Sequence, residues 1–98
     1  MHARVSFDEG VPGGDTDTAM KGFEDALGQL QEMEGHRRAT LLVDRDNGKA
    51  ITITYWETEE DMQASVEQTN KLRQQAADTG GLSIRGVENY EVALDSGG

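Results

Sequence analysis

The stretch RRATLLVDRDNGKAITITYW, residues 37 to 56, constrains the fold more than any other. Two runs rich in β-branched and aliphatic residues flank Asn47–Gly48, the strongest short hairpin signal, because both turn positions need φ > 0. A two-residue loop sets the register: Asp46 opposite Lys49, Asp44 opposite Ile51, Leu42 opposite Ile53 and Ala39 opposite Trp56. One face of the hairpin then carries Leu42, Ile51, Ile53 and Tyr55. The other carries Ala39, Leu41, Val43, Ala50, Thr52, Thr54 and Trp56. An antiparallel sheet with one wet face should show polar residues on that side. Both faces here are nearly free of charge near the middle, so each must be covered.

The flanking segments supply the cover. HARVSF (2–7) alternates as a short strand, with Ala3, Val5 and Phe7 on one side and His2, Arg4 and Ser6 on the other. DEGVPGGD (8–15) reads as a turn-rich connection. Between Thr16 and Glu34, Met20, Phe23, Leu27, Leu30 and Met33 recur at helical spacing, with Gly35 placed as a C-terminal cap. Gly22 and Gly28 weaken that helix, so packing must hold it. Thr58 followed by Glu59, Glu60 and Asp61 is an N-cap with acidic residues where the helix dipole favours them. Met62, Val66, Thr69, Leu72 and Ala76 continue as one stripe to about Ala77, and Asp78-Thr79-Gly80-Gly81 breaks it. LSIRGVENYEVAL (82–94) reads as a last strand, with Ile84, Tyr90, Val92 and Leu94 on one side. Residues 1–94 form one domain on this reading, and 95–98 a loose tail.

The order β-α-β-β-α-β is the ferredoxin-like, split-βαβ arrangement: an α+β antiparallel sheet with two helices on one face. The opposite face stays bare in a monomer. Composition makes that bare face matter. Leu, Ile, Val and Phe total 18 of 98 residues and the net charge is −10, values that otherwise flag disorder. Sheet-to-sheet homodimerisation is the physical expectation, with Leu42, Ile51, Ile53, Tyr55, Tyr90, Val92 and Leu94 at the interface. Nineteen acidic against nine basic residues argue against nucleic acid or an anionic membrane surface. No cysteine is present, so there is no thiolate nucleophile or cysteine-ligated metal. Without an apolar signal core or a ~20-residue apolar span, the expected location is cytoplasmic.

The run LLVDRDNGKAITITYWETEEDM, a polar helix, and then GVENYEVAL resemble the antibiotic biosynthesis monooxygenase-like branch of the dimeric α+β barrel superfamily, and GFEDALGQLQEMEGHRRA fits its first helix and entry to strand two. The resemblance implies a homodimer whose two sheets form a barrel, with a ligand space between each sheet and its helices. Known activities include cofactor-independent oxygenation of polycyclic aromatics, and haem degradation in a related branch. The tryptophan ending strand three borders the pocket in several relatives and aligns with Trp56. Haem-degrading relatives add a helix-two histidine and a strand-one asparagine. Here position 66 is Val66, and HARVSF has no asparagine, so haem degradation is not expected and no cofactor is called for.

Trp56 is open to two readings, a packed core residue or the flat wall of a pocket for an apolar or aromatic ligand. Thr52 and Thr54 share its face and are small and polar, which suits a cavity lining. Met62 and Val66 approach the same space from helix two. Arg4 would hold an oxyanion or carboxylate if its face looks inward, but a surface ion pair is the simpler reading. His2 sits at the frayed end, and Tyr55 and Tyr90 suit dimer packing. Glu57, Glu59, Glu60 and Asp61 do not converge on an ion, so no metal site is expected. An oxygenase that works by pocket shape requires an enclosed space of about 300 Å³ or more beside Trp56. The same scaffold without that space is a non-catalytic binding or accessory dimer.

Overall fold

The computed structural model describes residues 1–13 and 16–96. Gly14 and Asp15 of the expected turn, and Gly97 and Gly98 of the expected tail, lie outside the described residues. The chain runs β1 (His2–Glu9), α1 (Thr16–Leu30), β2 (His36–Asp44), β3 (Lys49–Trp56), α2 (Glu59–Ala64), α3 (Val66–Gly80) and β4 (Ser83–Glu91). The strands order as β2-β3-β1-β4, antiparallel at every pairing. This is the ferredoxin-like α+β arrangement expected from the element order.

The hairpin forms, but in a register two residues from the expected one. Asp44 pairs with Lys49, Leu42 with Ile51, and Ala39 with Thr54. The loop is therefore longer than Asn47–Gly48. Asn47 does not take a positive φ, since no described non-glycine residue does. Its amide and side-chain N–H groups instead donate to the Asp44 carboxylate, at 3.3 and 2.8 Å. This cap over a wider turn replaces the type I′ geometry. Of the two turn residues only Gly48 is left-handed (φ 67°), and a β-carbon there would lie 2.7 Å from the Gly10 carbonyl oxygen. A shift of two leaves side-chain faces unchanged, so Ala50, Thr54 and Trp56 point to the helices and are buried.

Helix two also departs from expectation. Thr58 caps it as anticipated, its Oγ1 accepting from the Asp61 amide at 3.1 Å. The helix then breaks at Ser65 and resumes as α3. The Met62 carbonyl, which a continuous helix would hand to a backbone amide, accepts from Arg4 Nη2 (2.8 Å) and Ser65 Oγ (2.7 Å). The second segment runs past Ala77 to Gly80, where left-handed Gly81 closes it and the Leu82 amide returns to the Ala77 carbonyl at 2.8 Å. Likewise α1 ends at Leu30 rather than Glu34. Residues 31–33 continue in turn bonds that keep Met33 against the core.

The last strand stops at Glu91, and Leu94 is 90% exposed. A bulge opposite Phe7 and Asp8 shifts its register, pairing Ile84 with Asp8 but Tyr90 with Ala3. Ile84 and Tyr90 therefore face opposite sides, not the same side. The helix-free face of the sheet carries half-buried Val5, Phe7, Ile51, Ile53 and Tyr55, with Leu42 and Tyr90 each 49% exposed. Arg38 lies over the Tyr55 ring at 4.4 Å and reaches Asp95 at 3.1 Å. No described helix is long and apolar enough to cross a membrane.

Candidate functional site

Strand alternation places Arg4, Ser6 and Asp8 on the helix side of β1, all three buried. Their cross-strand neighbours on β3 are Thr54, Thr52 and Ala50. The sheet surface beneath the helices is thus built of small and polar side chains. Above it, α1 and α3 approach closely: a β-carbon on Gly22 would lie 2.8 Å from the Ala76 carbonyl oxygen, and one on Gly80 would lie 2.8 Å from Ala19 Cα. Two helices that touch each other over a floor of short side chains leave space between floor and roof.

That space is an inner chamber of about 60 Å³. Asp8, Thr52 and Thr54 form its floor, Thr69 and Arg73 enter from α3, and Phe23, Ala26, Leu72 and Leu82 supply apolar walls. A wider surface cleft of about 420 Å³ lies among the hairpin turn, Gly10–Val11, Thr18–Ala19 and Asp78–Leu82. Ala19 and Leu82 line both spaces and form the partition between them. The cleft is larger but open, whereas the chamber is where buried polar groups converge.

Of the six residues expected at a pocket, Thr52 and Thr54 line the chamber. Trp56 does not. It is 0% exposed, packed with Ala26, Leu30, Met62 and Leu72, and its indole Nε1 donates to Thr54 Oγ1 at 3.0 Å. His36 meets it edge-on at 5.4 Å. With its ring enclosed and its N–H satisfied, Trp56 is core and stands behind Thr54, not in the wall. Met62 belongs to the same core, and Val66 is half-buried at the start of α3, outside the chamber lining.

Arg4 also departs from the surface ion pair expected of it. It is 4% exposed and donates to three neutral acceptors: Met62 O (2.8 Å), Thr69 Oγ1 (2.8 Å) and Ser65 Oγ (3.4 Å). Burial, and then the nearby Arg73 charge, lower its pKa to about 10. Its donors are committed to the α2–α3 junction, so its work is to hold that break in place.

Two residues that the sequence reading passed over face the chamber instead. Asp8, assigned to the loop, completes the inward side of β1, with Ser6 Oγ donating to its Oδ1 at 3.0 Å. Arg73 lies four residues beyond Thr69 on the inward stripe of α3, and its Nη1 donates to Asn70 Oδ1 at 2.6 Å. Among the described residues no ion pair joins Asp8 to Arg73 or to any other cation. Burial pushes the Asp8 carboxyl above the usual carboxylate range, against the opposing pull of Ser6, Arg73 and Thr52. Burial likewise lowers the Arg73 guanidinium, which Asp8 partly restores. The signal available for both was periodicity: position 8 continues the 4, 6 alternation, and position 73 falls on the 62, 66, 69, 76 stripe.

A raised carboxyl pKa has a defined consequence for stability. Between the folded and unfolded pKa the native state binds more protons, so this group makes the fold more stable as pH falls through that window. Above it the fold carries the full cost of a desolvated carboxylate. Asp8→Asn is therefore expected to unfold later than wild type at pH 8, with the difference shrinking toward pH 4 in parallel urea titrations. A variant less stable at pH 8 would contradict the desolvated state of Asp8.

A family model described as antibiotic biosynthesis monooxygenase matches residues 5–77. Among solved structures, SnoaB, a cofactor-independent oxygenase from Streptomyces nogalater, superposes with a TM-score of 0.74 at 13% identity, covering 97% of this chain and 95% of that one. The heme-degrading protein Rv3592 from Mycobacterium tuberculosis superposes with a TM-score of 0.66 at 22% identity, covering 99% and 100%. At these identities the likeness is one of fold. The uncharacterized protein Rv2558 of Mycobacterium tuberculosis is 45% identical over 65 residues, which cover 66% of this chain and 27% of that protein. The match spans only about a quarter of that relative's length.

Proposed function

The chain belongs to the antibiotic biosynthesis monooxygenase family, and from that premise we propose that it is a homodimeric small-molecule pocket protein that oxygenates an electron-rich aromatic without a cofactor. The observation that carries the reading is the polar-floored chamber between sheet and helices, with the cleft beyond Ala19 and Leu82. In such a reaction the ligand supplies the electrons: one atom of O2 enters the ring as a carbonyl and the other leaves as water. The bare sheet face supports the dimer, since half-buried Val5, Phe7, Ile51 and Ile53 and exposed Leu42 and Tyr90 form one apolar surface that a second copy would cover.

The chamber volume favours a second reading. About 60 Å³ is well below the ~300 Å³ that an enclosed oxygenase pocket requires, and Trp56 does not border it. The oxygenase reading therefore depends on the open cleft, whereas a binding dimer without catalysis needs no more than that cleft. Aerobic incubation with a dihydroxynaphthalene separates the two. The oxygenase reading expects the corresponding hydroxynaphthoquinone, carrying one atom from isotopically labelled O2. Saturable binding without product selects the non-catalytic reading, and neither binding nor product contradicts both.

A further inference from the structure

We propose that Asp8 and Arg73 are a split pair that takes the hydroxyl of a phenolic or enolic ligand between them, Asp8 accepting its proton and Arg73 holding the oxygen. The inference rests on the chamber being the ligand site. Asp8 from the sheet floor and half-buried Arg73 from α3 line the same small chamber and feel each other's charge, yet among the described residues no ion pair closes between them. Opposite charges that share a cavity this small and do not meet leave room for one group that contacts both. A hydroxyl does so, since it donates through its hydrogen and accepts through its lone pairs.

The side chains have the capacity this requires. Ser6 donates to Oδ1 of Asp8 and Thr52 also hydrogen-bonds its carboxyl, while a carboxylate accepts about four hydrogen bonds in all. Arg73 gives Nη1 to Asn70 and has further N–H groups to offer. Arg4 is not a competitor, because Met62, Thr69 and Ser65 engage its guanidinium. The proton step balances within the site. The ligand O–H bond breaks, its proton passes to the Asp8 carboxylate, and the bonding pair stays on the ligand oxygen as an oxyanion against the Arg73 cation. Desolvation makes Asp8 a stronger base than a surface aspartate. The groups facing it are Ser6 on β1, Thr52 on β3, Arg73 on α3 and Ile84 across β4, while α1 shows the chamber only Ala19, Phe23, Ala26 and Leu30.

The test compares 2-naphthol with 2-methoxynaphthalene, which keeps the ring and oxygen but has no hydrogen to donate, using wild type, Asp8→Asn and Arg73→Met. Wild type is expected to favour 2-naphthol by about tenfold or more, as a hydrogen bond to a charged group gives. That preference should fade as the pH falls through the Asp8 titration. Asp8→Asn should show a naphthol preference over 2-methoxynaphthalene that is reduced and flat with pH. Arg73→Met should weaken 2-naphthol more than the ether. Equal affinity for the two probes in wild type, or an undiminished preference in Asp8→Asn, would overturn the inference while leaving the pocket reading intact. Binding of neither probe to wild type would remove the pocket reading and this inference together.

Discussion

Truncating Trp56 to alanine is expected to cost about 3–5 kcal/mol of folding stability, the range for deleting a large buried aromatic. A domain of this size has only about 5–15 kcal/mol to lose. The ring is 0% exposed and joins α1 (Ala26, Leu30), α2 (Met62) and α3 (Leu72), so its removal opens a cavity where three helices meet the sheet. Urea denaturation should show a markedly lower midpoint, or no cooperative transition at all. Trp56→Phe retains most of the apolar contact, loses the bond to Thr54 Oγ1, and should fall between the two. A near-wild-type midpoint for Trp56→Ala would mean that the tryptophan is a removable wall rather than the centre of the core.

Placing a charge at the middle of the bare sheet face is expected to have the second large effect. Ile53 lies on β3 opposite Val5 of β1 and Thr40 of β2, central to the proposed dimer surface. Ile53→Asp puts an unpaired carboxylate into that interface from each copy, at a cost of several kcal/mol. About 4 kcal/mol weakens association roughly a thousandfold. Sedimentation at micromolar concentration should find wild type as a dimer and the variant as a monomer of reduced stability. A wild-type monomer under those conditions would contradict the dimer, and with it the account of how so small a core is completed.

The two faces of the hairpin were legible in the sequence although its register was not. Asn47–Gly48 signalled a turn, but Asp44 was free to cap a wider one, and local side-chain chemistry of that kind is easily outranked in a reading based on dipeptides. Because the displacement was even, Ala50, Thr54 and Trp56 still faced the helices. The first strand was legible only in its alternation. The usual rule turns polar residues outward, yet Arg4, Ser6 and Asp8 face the helices, and Ala3, Val5 and Phe7 lie on the helix-free side. The break at Ser65 could not be read locally either, since it depends on Arg4 reaching the Met62 carbonyl from 58 residues away in sequence. Asp8 and Arg73 were missed for a related reason: each looks like solvated charge until the topology closes one over the other.

Both the oxygenase and the binding reading need the space between the sheet and the helices to receive a ligand. A titration of 2-naphthol into isotopically labelled protein, followed by NMR, tests this most directly. The predicted result is saturable shift changes greatest at Thr52, Thr54, Ala76 and Leu82, with Val5, Phe7 and Ile51 on the bare face unmoved. Changes confined to that bare face, or none at saturating probe, would contradict it.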